Sequence, residues 1–415
     1  MTTPTGAPRG VPTRVLVTDG DSRTALACVR SLVAAGHEVW SAGEHRLTLS
    51  GVSRGVHAER VFASALDDPA AFAREVSLVA QRNRIDVLLP VSDASVDALL
   101  LHRDRLPPRV ALPLPPRDVF RAGTDKAGMM AMARAAGFAV PASSLVARAE
   151  DLDAAMERAV FPAILKPHRS VVTDASGRCH KLDVEYVETA DALREAVRRL
   201  PADAFPAMLQ ERIRGRGEGL FALRWNGHTV ASFAHRRLRE KPPAGGLSVY
   251  RESIVPDEVL VARTEALLGA LDWQGVAMVE CKVDRDTGEH VFMELNGRLW
   301  GSLQLAIDAG VDFPALLVAC ATTGTAAPQR AYKAGVRSRW WWGDVDHLYA
   351  RLAKSASRLH LEAPFPSRAR VLRDFLRLPS RDERAEVERW ADPLPGVLEA
   401  ARRLSVARRT RARAR

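Results

Sequence analysis

The residues best placed to do chemistry lie in one short stretch. Val279-Glu280-Cys281-Lys282-Val283-Asp284 is followed by Val291-Phe292-Met293-Glu294-Leu295-Asn296 and then by Arg298. The apolar runs 275–283 and 290–295, joined by the turn Asp284–Glu289, read as a β-hairpin. Alternate residues of a strand share a face, so Glu294 and Asn296 point one way, and Glu280 on the adjoining strand reaches that face. Two carboxylates and an amide oxygen make a hard-oxygen set suited to Mg²⁺, which proteins hold with a few carboxylates plus substrate phosphates. The competing reading is a pair of solvated surface acids. The apolar residues on both sides of Glu294 weigh against it. Arg298 follows on the same side, where a guanidinium meets anionic oxygens in pairs.

Phosphate-binding parts stand upstream. The chain carries seven lysines against 53 arginines, so a lysine is mildly enriched for positions that need a compact ammonium rather than a planar fork. Lys166 ends the apolar strand Ala163–Pro167, where a phosphate would compensate its charge, and Lys126 stands just before the Met129–Ala136 helix. Taken singly, each is also compatible with an ordinary surface lysine. Gln210-Glu211-Arg212-Ile213 ends the strand 207–211 ahead of a glycine-rich turn, 214–219, and its backbone groups could bond a purine edge. Glu218 beyond that turn could accept from ribose hydroxyls. The polar loop 168–181, with Ser170, Ser176 and Gly177, could fold over phosphates or be an ordinary loop.

The elements that position these residues fall into two patterns. Residues 14–18, 25–35 and 38–42 read as strand, helix and strand, and a helix near 68–82 and a strand at 85–90 continue the series as a doubly wound sheet. The turn Thr18-Asp19-Gly20-Asp21 lacks the GxGxxG fingerprint, so no dinucleotide site is read there. Beyond the proline-rich run 107–116 the strands alternate with hairpin turns and read as antiparallel. A composition of 47% hydrophobic and 27% charged residues excludes wholesale disorder. The four cysteines are scattered with no CxxC pair, which argues against structural zinc or a disulfide framework. With no signal-peptide core and no long apolar span, a cytoplasmic protein with no membrane partner is expected. The net charge of +10 raises nucleic acid as a partner, but residues 401–415 hold seven arginines and no acid, so much of the excess sits in a short tail.

In this order the pieces resemble the ATP-grasp superfamily, over about Arg14 to Thr322, and the hairpin motif through Asn296-Gly297-Arg298-Leu299-Trp300-Gly301-Ser302 is similar to that of carboxylate-amine ligase-like members. The resemblance implies an α/β and α+β architecture: a disordered N-terminus (1–13), a pre-ATP-grasp doubly wound domain (14–115) and a two-subdomain ATP-grasp fold (116–325). A helical C-terminal extension (326–400) and a disordered basic tail (401–415) complete it. It makes Lys126 and Lys166 phosphate ligands, Gln210, Glu211 and Ile213 the adenine hinge, Glu218 the ribose contact, and Glu280, Glu294 and Asn296 the Mg²⁺ ligands. The implied cofactors are ATP and Mg²⁺. The implied reaction activates a carboxylate as an acyl phosphate that an amine attacks, with Arg298 stabilising the transferred group. His235, Arg237, Gly245, Gly246 and Ser302 would line the substrate pocket, since a cationic cluster before a Gly-Gly loop suits a carboxylate. Small-molecule carboxylate and amine partners follow, such as amino acids or small peptides. A homodimer is a family-level guess. The family often has proline where Gly297 stands, and its phosphate loop is usually richer in glycine.

Two other readings remain open at this point. A carboxylase or phosphotransferase would use the same hairpin, although no Met-Lys biotinylation signal is present. A nucleic-acid binder with a degenerate ATP fold would use Trp340–Trp342 with Arg337 and Arg339, a run that more often packs an extension onto its domain.

Overall fold

The computed structural model describes residues 12–167, 171–173, 179–181 and 184–413. The N-terminal unit is a parallel sheet in the order β3-β2-β1-β4, built from β1 (Arg14–Val17), β2 (Glu38–Gly43), β3 (Ala58–Val61) and β4 (Val87–Leu89). Helices α1 (Arg23–Ala34), α2 (Pro69–Arg82) and α3 (Asp93–Leu101) connect its strands or follow the last. Side-chain caps start all three: Ser22, Asp68 and Ser92 each accept from the backbone N–H three residues on. The inner strands β1, β2 and β4 are largely buried because helices cover both faces, whereas the edge strand β3 (Ala-Glu-Arg-Val) is not.

Helices α4 (Arg117–Thr124) and α5 (Lys126–Ala135) lead into the second unit. Asp125 caps α5 by accepting from Ala127 and Gly128, so Lys126 opens this helix instead of belonging to the one before it, as the sequence suggests. A small antiparallel sheet follows, in the order β5-β10-β6-β9: β5 (Ser143–Val146), β6 (Ala163–Pro167), β9 (Glu185–Val187) and β10 (Ala207–Glu211). Helices α6 (Leu152–Met156) and α7 (Ala190–Arg199) cover one face around Leu165, Leu193 and Leu209. The expected loop 168–181 contains a two-stranded ribbon, β7 (Val171–Thr173) with β8 (Cys179–Lys181); Ser170, Ser176 and Gly177 lie outside the described residues.

The large sheet has seven strands in the order β15-β14-β11-β12-β13-β16-β17. These are β11 (Gly215–Trp225), β12 (His228–Lys241), β13 (Leu247–Ile254), β14 (Gly275–Asp284), β15 (His290–Asn296), β16 (Arg337–Arg339) and β17 (Glu383–Ala385). All neighbours are antiparallel except β16 and β17. One face packs α4, α5 and α8 (Glu258–Ala270) around Leu220, Val279 and Phe292. The other meets α1 and the helices α9 (Leu303–Ala309) and α10 (Phe313–Thr323) around Phe221, Met278 and Trp300.

Three readings of the sequence are corrected. The glycine-rich turn 214–219 is the first half of β11, because small residues are needed there for a side chain to cross (below). The C-terminal extension is not only helical: alongside α11 (Trp341–Ala353) and α12 (Arg368–Leu376), it adds two strands to the large sheet. The tail continues α13 (Leu394–Arg413), where alternating alanine and arginine are strong helix formers. It is also tied down: Arg402 pairs with Asp21 at 2.5 Å and Arg403 with Asp346 at 3.0 Å. Trp340 packs with Leu26, Val249 and Val387 beneath the Arg23 guanidinium, which removes the centre of the aromatic-basic patch on which a nucleic-acid reading relied. Among the described residues no single helix is long and apolar enough to cross a membrane.

Candidate active site

The hairpin β14–β15 presents its acids together because of an irregularity in its ladder. Cys281 pairs with Phe292 but Glu280 pairs with Glu294, so Met293 is an extra residue on β15. Such a bulge shifts the alternation by one. Phe292 therefore points into the helical side while Glu294 and Asn296 turn to the opposite face, directly across from Glu280 and Met278. Asn296 Nδ2 donates to Glu294 Oε1 at 3.0 Å.

The face continues across β11 and β12 as a row in which Gly219 pairs with both Glu280 and His235. Gly217 and Gly219 leave the floor of this row bare. A Cβ on Gly217 would lie 2.8 Å from Arg237 Cδ, and one on Gly219 would lie 3.0 Å from the Phe221 ring. Across that gap Arg237 pairs with Glu280, donates to Glu240 at 2.9 Å and reaches the Gly246 carbonyl at 3.1 Å.

The small sheet faces this row with the side opposite its own core. Lys166 and Gln210 share that side, and Lys166 Nζ donates to Gln210 Oε1 at 2.7 Å. Burial pushes the Lys166 ammonium down to about 8, against the pull of Glu294, and the neighbouring charge of Lys126 adds to the shift. Burial also lowers Lys126, against Glu294 and Asp93. Glu280 is raised, first by burial and then by the facing Glu294 and by Glu240, which outweigh Arg237. Two buried carboxylates that resist joint ionisation, with ammonium groups close by, suit a divalent cation with phosphate oxygens. Among the described residues no group of three or more His, Cys, Asp or Glu side chains is poised for a metal, and Mg²⁺ needs no more than one or two carboxylates when phosphates supply the rest. The residues present fit Mg²⁺ with a nucleoside triphosphate.

Arg298 is held by Asp93, with its Nε 3.1 Å from Oδ1. Asp93 opens α3 at the carboxyl end of β4, the end of a parallel sheet where ligand contacts concentrate. Sequence reading missed it, although that placement was a usable signal.

The other expected site residues divide. Ile213 packs with Val291 and Met293, and its carbonyl accepts from Lys282 Nζ at 3.0 Å. Glu211 accepts from the Ala142 N–H at 3.2 Å, fixing the hinge strand. Glu218 is not on the same face: it pairs with Cys281 and Arg236, on the helical side, and binds His290 at 3.1 Å and Arg216 at 2.8 Å. The sequence reading placed it beyond the turn and assigned it no strand face. His235 is 1% exposed, edge-on to Phe221, and neither ring nitrogen has a partner among the described residues. Burial, with Arg237 and Arg251, holds its proton affinity well below the ordinary imidazole range, so the ring is neutral. Gly245 and Gly246 form the tip of the β12–β13 hairpin, φ +142° and +158°, beside the Tyr186 hydroxyl of the small sheet and away from Arg298. Ser302 is buried just before α9 without capping it.

The pH dependence has a definite sign. A polyphosphate in this cleft would bind the charged form of Lys166, and that form is lost as the pH rises through about 8. Titration calorimetry of Mg-ADP from pH 6.5 to 9.5 will show affinity falling above pH 8. Lys166→Arg, cationic throughout, will flatten that fall; an equally steep fall in Lys166→Arg would assign the titration elsewhere.

No family model matches the chain, and no curated protein matches it. Solved structures do. The N5-carboxyaminoimidazole ribonucleotide synthetase from Thermus thermophilus is 19% identical with a TM-score of 0.57, over 77% of this chain and 80% of that one. The biotin carboxylase–β-γ-ATP complex from Campylobacter jejuni is 15% identical with a TM-score of 0.61, over 78% and 74%. The L-amino acid ligase from Bacillus licheniformis is 16% identical with a TM-score of 0.57, over 74% of each chain. The chain has the ATP-grasp fold.

Proposed function

We propose that the protein is an ATP-dependent ligase that joins a small-molecule carboxylate to an amine, amino acids or small peptides being the favoured substrates, and releases ADP and phosphate. The observation that carries this reading is the row in which Glu280 faces Glu294, with the charges of Lys126, Lys166, Arg237 and Arg298 converging on it. Mg²⁺ held by Glu280, Glu294 and Asn296 would supply charge neutralisation for phosphoryl transfer. Lys126 and Lys166 bind phosphate oxygens, and the hinge at Gln210, Glu211 and Ile213 orients the base. Glu218 is withdrawn as the ribose contact, because its side chain is committed to the other face. Arg298, fixed by Asp93, lies where the transferred phosphoryl group and the new acyl-phosphate oxygens gather charge, and its fork offsets it. His235 and Arg237 line the substrate side of the row, with Ser302 beyond; the Gly245-Gly246 tip acts as a cover from the nucleotide side.

The three cysteines whose side chains are described, Cys28, Cys281 and Cys320, are free and buried, which supports placement in a reducing cytoplasm. We also divide the chain functionally at about residues 115 and 325, with α13 counted as part of the extension.

Hydroxylamine traps an acyl phosphate as a hydroxamate, so a panel of carboxylates incubated with Mg-ATP and hydroxylamine tests the reading. The expected result is ATP-dependent hydroxamate with at least one acid, reduced about 10²–10³-fold in Arg298→Ala. Stable accumulation of a phosphorylated product would make the enzyme a phosphotransferase, and bicarbonate-dependent ADP release a carboxylase.

A further inference from the structure

Outside the row of catalytic groups, the C-terminal extension forms a half-open cavity of about 330 Å³ against the ends of β11, β12 and β14. Its walls come from three parts of the chain: Arg212 beyond the hinge, Lys282 and Glu240 from the large sheet, and Arg351, Phe365 and Asp374 from the extension. The segment after α11 forms one wall. Its His360 ring stacks on Tyr186 at 5.3 Å and meets Glu188 at 2.8 Å, Glu362 approaches Arg212 at 3.3 Å, and the Ala363 carbonyl accepts from Arg285 at 2.6 Å.

The charges lining this cavity do not cancel. Arg239 is matched by Asp344 through two bonds of 2.6 Å, and Arg212 and Arg285 share Glu362. Lys282 and Arg351 have no carboxylate within 4.0 Å among the described residues: Lys282 donates to the Ile213 carbonyl and Arg351 to the Pro366 carbonyl. Arg351 is 7% exposed and lies 5.6 Å from the Phe365 ring. Arg212 Nε is buried without a partner among the described residues. Buried cations are ordinarily paired, and one unpartnered guanidinium nitrogen beside two cations that meet only carbonyls calls for an anion. Burial lowers the proton affinity of both Lys282 and Arg351, a cost that an anion bound between them relieves.

We propose that this cavity is a second small-molecule site, taking a carboxylate or phosphate group between Lys282, Arg351 and Arg212 Nε and a flat apolar body against Phe365. Pro364, Pro366 and Val371 complete the apolar side. The site is one side chain from the metal pair, because Glu240 in its wall holds Arg237, which in turn pairs with Glu280. The inference does not depend on the ligase reading.

Calorimetric titration of the full chain with phenyl phosphate and, separately, phenylacetate tests it, each in saturating Mg-ADP so that the nucleotide cleft is filled. The expected result is saturable binding of one probe per chain, with the stronger probe identifying the head group. Binding should weaken at least tenfold in Arg351→Gln. Phe365 is 46% exposed, so Phe365→Ala should fold normally and weaken the same probe, which keeps the test valid if Arg351→Gln is unstable. Absence of saturable binding by both probes overturns the proposal. So does binding seen only without ADP, which would make the cavity part of the nucleotide cleft.

Discussion

Glu294→Gln will abolish phosphoryl transfer while leaving the fold intact. The substitution keeps the shape and the hydrogen bond from Asn296, but removes the charge that faces Glu280 across the hairpin. A metal contributes several kcal/mol to stabilising charge in a phosphoryl-transfer transition state, so weakening its seat should lower ADP release by about 10³-fold. Burial opposes ionisation of Glu294, but Lys126, the Asn296 bond, Lys166 and Arg237 hold its carboxyl below the ordinary range. Losing the charge therefore costs some stability, and the fold should survive because Gln fills the same space and keeps that bond. ADP release by coupled assay, alongside thermal unfolding, separates the two effects. Unchanged turnover would remove Glu294 from the site, and loss of folding would make it structural.

Glu386→Ala will destabilise the protein more than any change in the catalytic row. This carboxylate is 2% exposed and is shared by Arg23 of α1 and Arg251 of β13, the latter at 2.5 Å. Arg251 is itself fully buried. Removing the acid leaves two guanidinium groups facing each other out of water, which costs about 3–5 kcal/mol. In a protein of this size that corresponds to a fall of roughly 3–6 °C in the unfolding midpoint. Glu386→Leu combined with Arg251→Met should lose less than Glu386→Ala alone, since one orphaned charge goes with its partner. If the double variant is worse, packing and not charge holds this seam.

These two carboxylates also mark how far sequence reasoning reached. Glu280, Glu294 and Asn296 were legible because strand alternation and an apolar setting are local properties. The Met293 bulge that aligns them is also local, but only pairing with β14 reveals it. The face of Glu218 was not legible for the same reason: its place beyond the hinge does not give parity until the strand is known to begin at Gly215. Gly217 and Gly219 looked like turn residues, since glycine serves both for bends and for close approach, and only Arg237 passing overhead distinguishes the two. Glu386 was invisible, because nothing near it in the chain resembles its partners. The doubly wound start and the antiparallel middle depend on periodicity alone and were read correctly, whereas the bond between Lys166 and Gln210 joins two strands and was not foreseen.

Arg23 and Glu386 are separated by 363 residues in the chain. At a ribosomal pace of about 5–20 residues per second, the N-terminal domain exists for roughly 20–70 s before the partner of Arg23 is synthesised. Through that interval α1 carries an arginine and an apolar edge, Leu26, whose cover, Val387 and Trp340, has not yet been made. A nascent chain truncated before residue 386 should therefore be the form most dependent on a holding chaperone. The segment at β17 and α13 acts as a clasp on α1: the buried charges of Arg23 and Arg251 are neutralised only once Glu386 has been made.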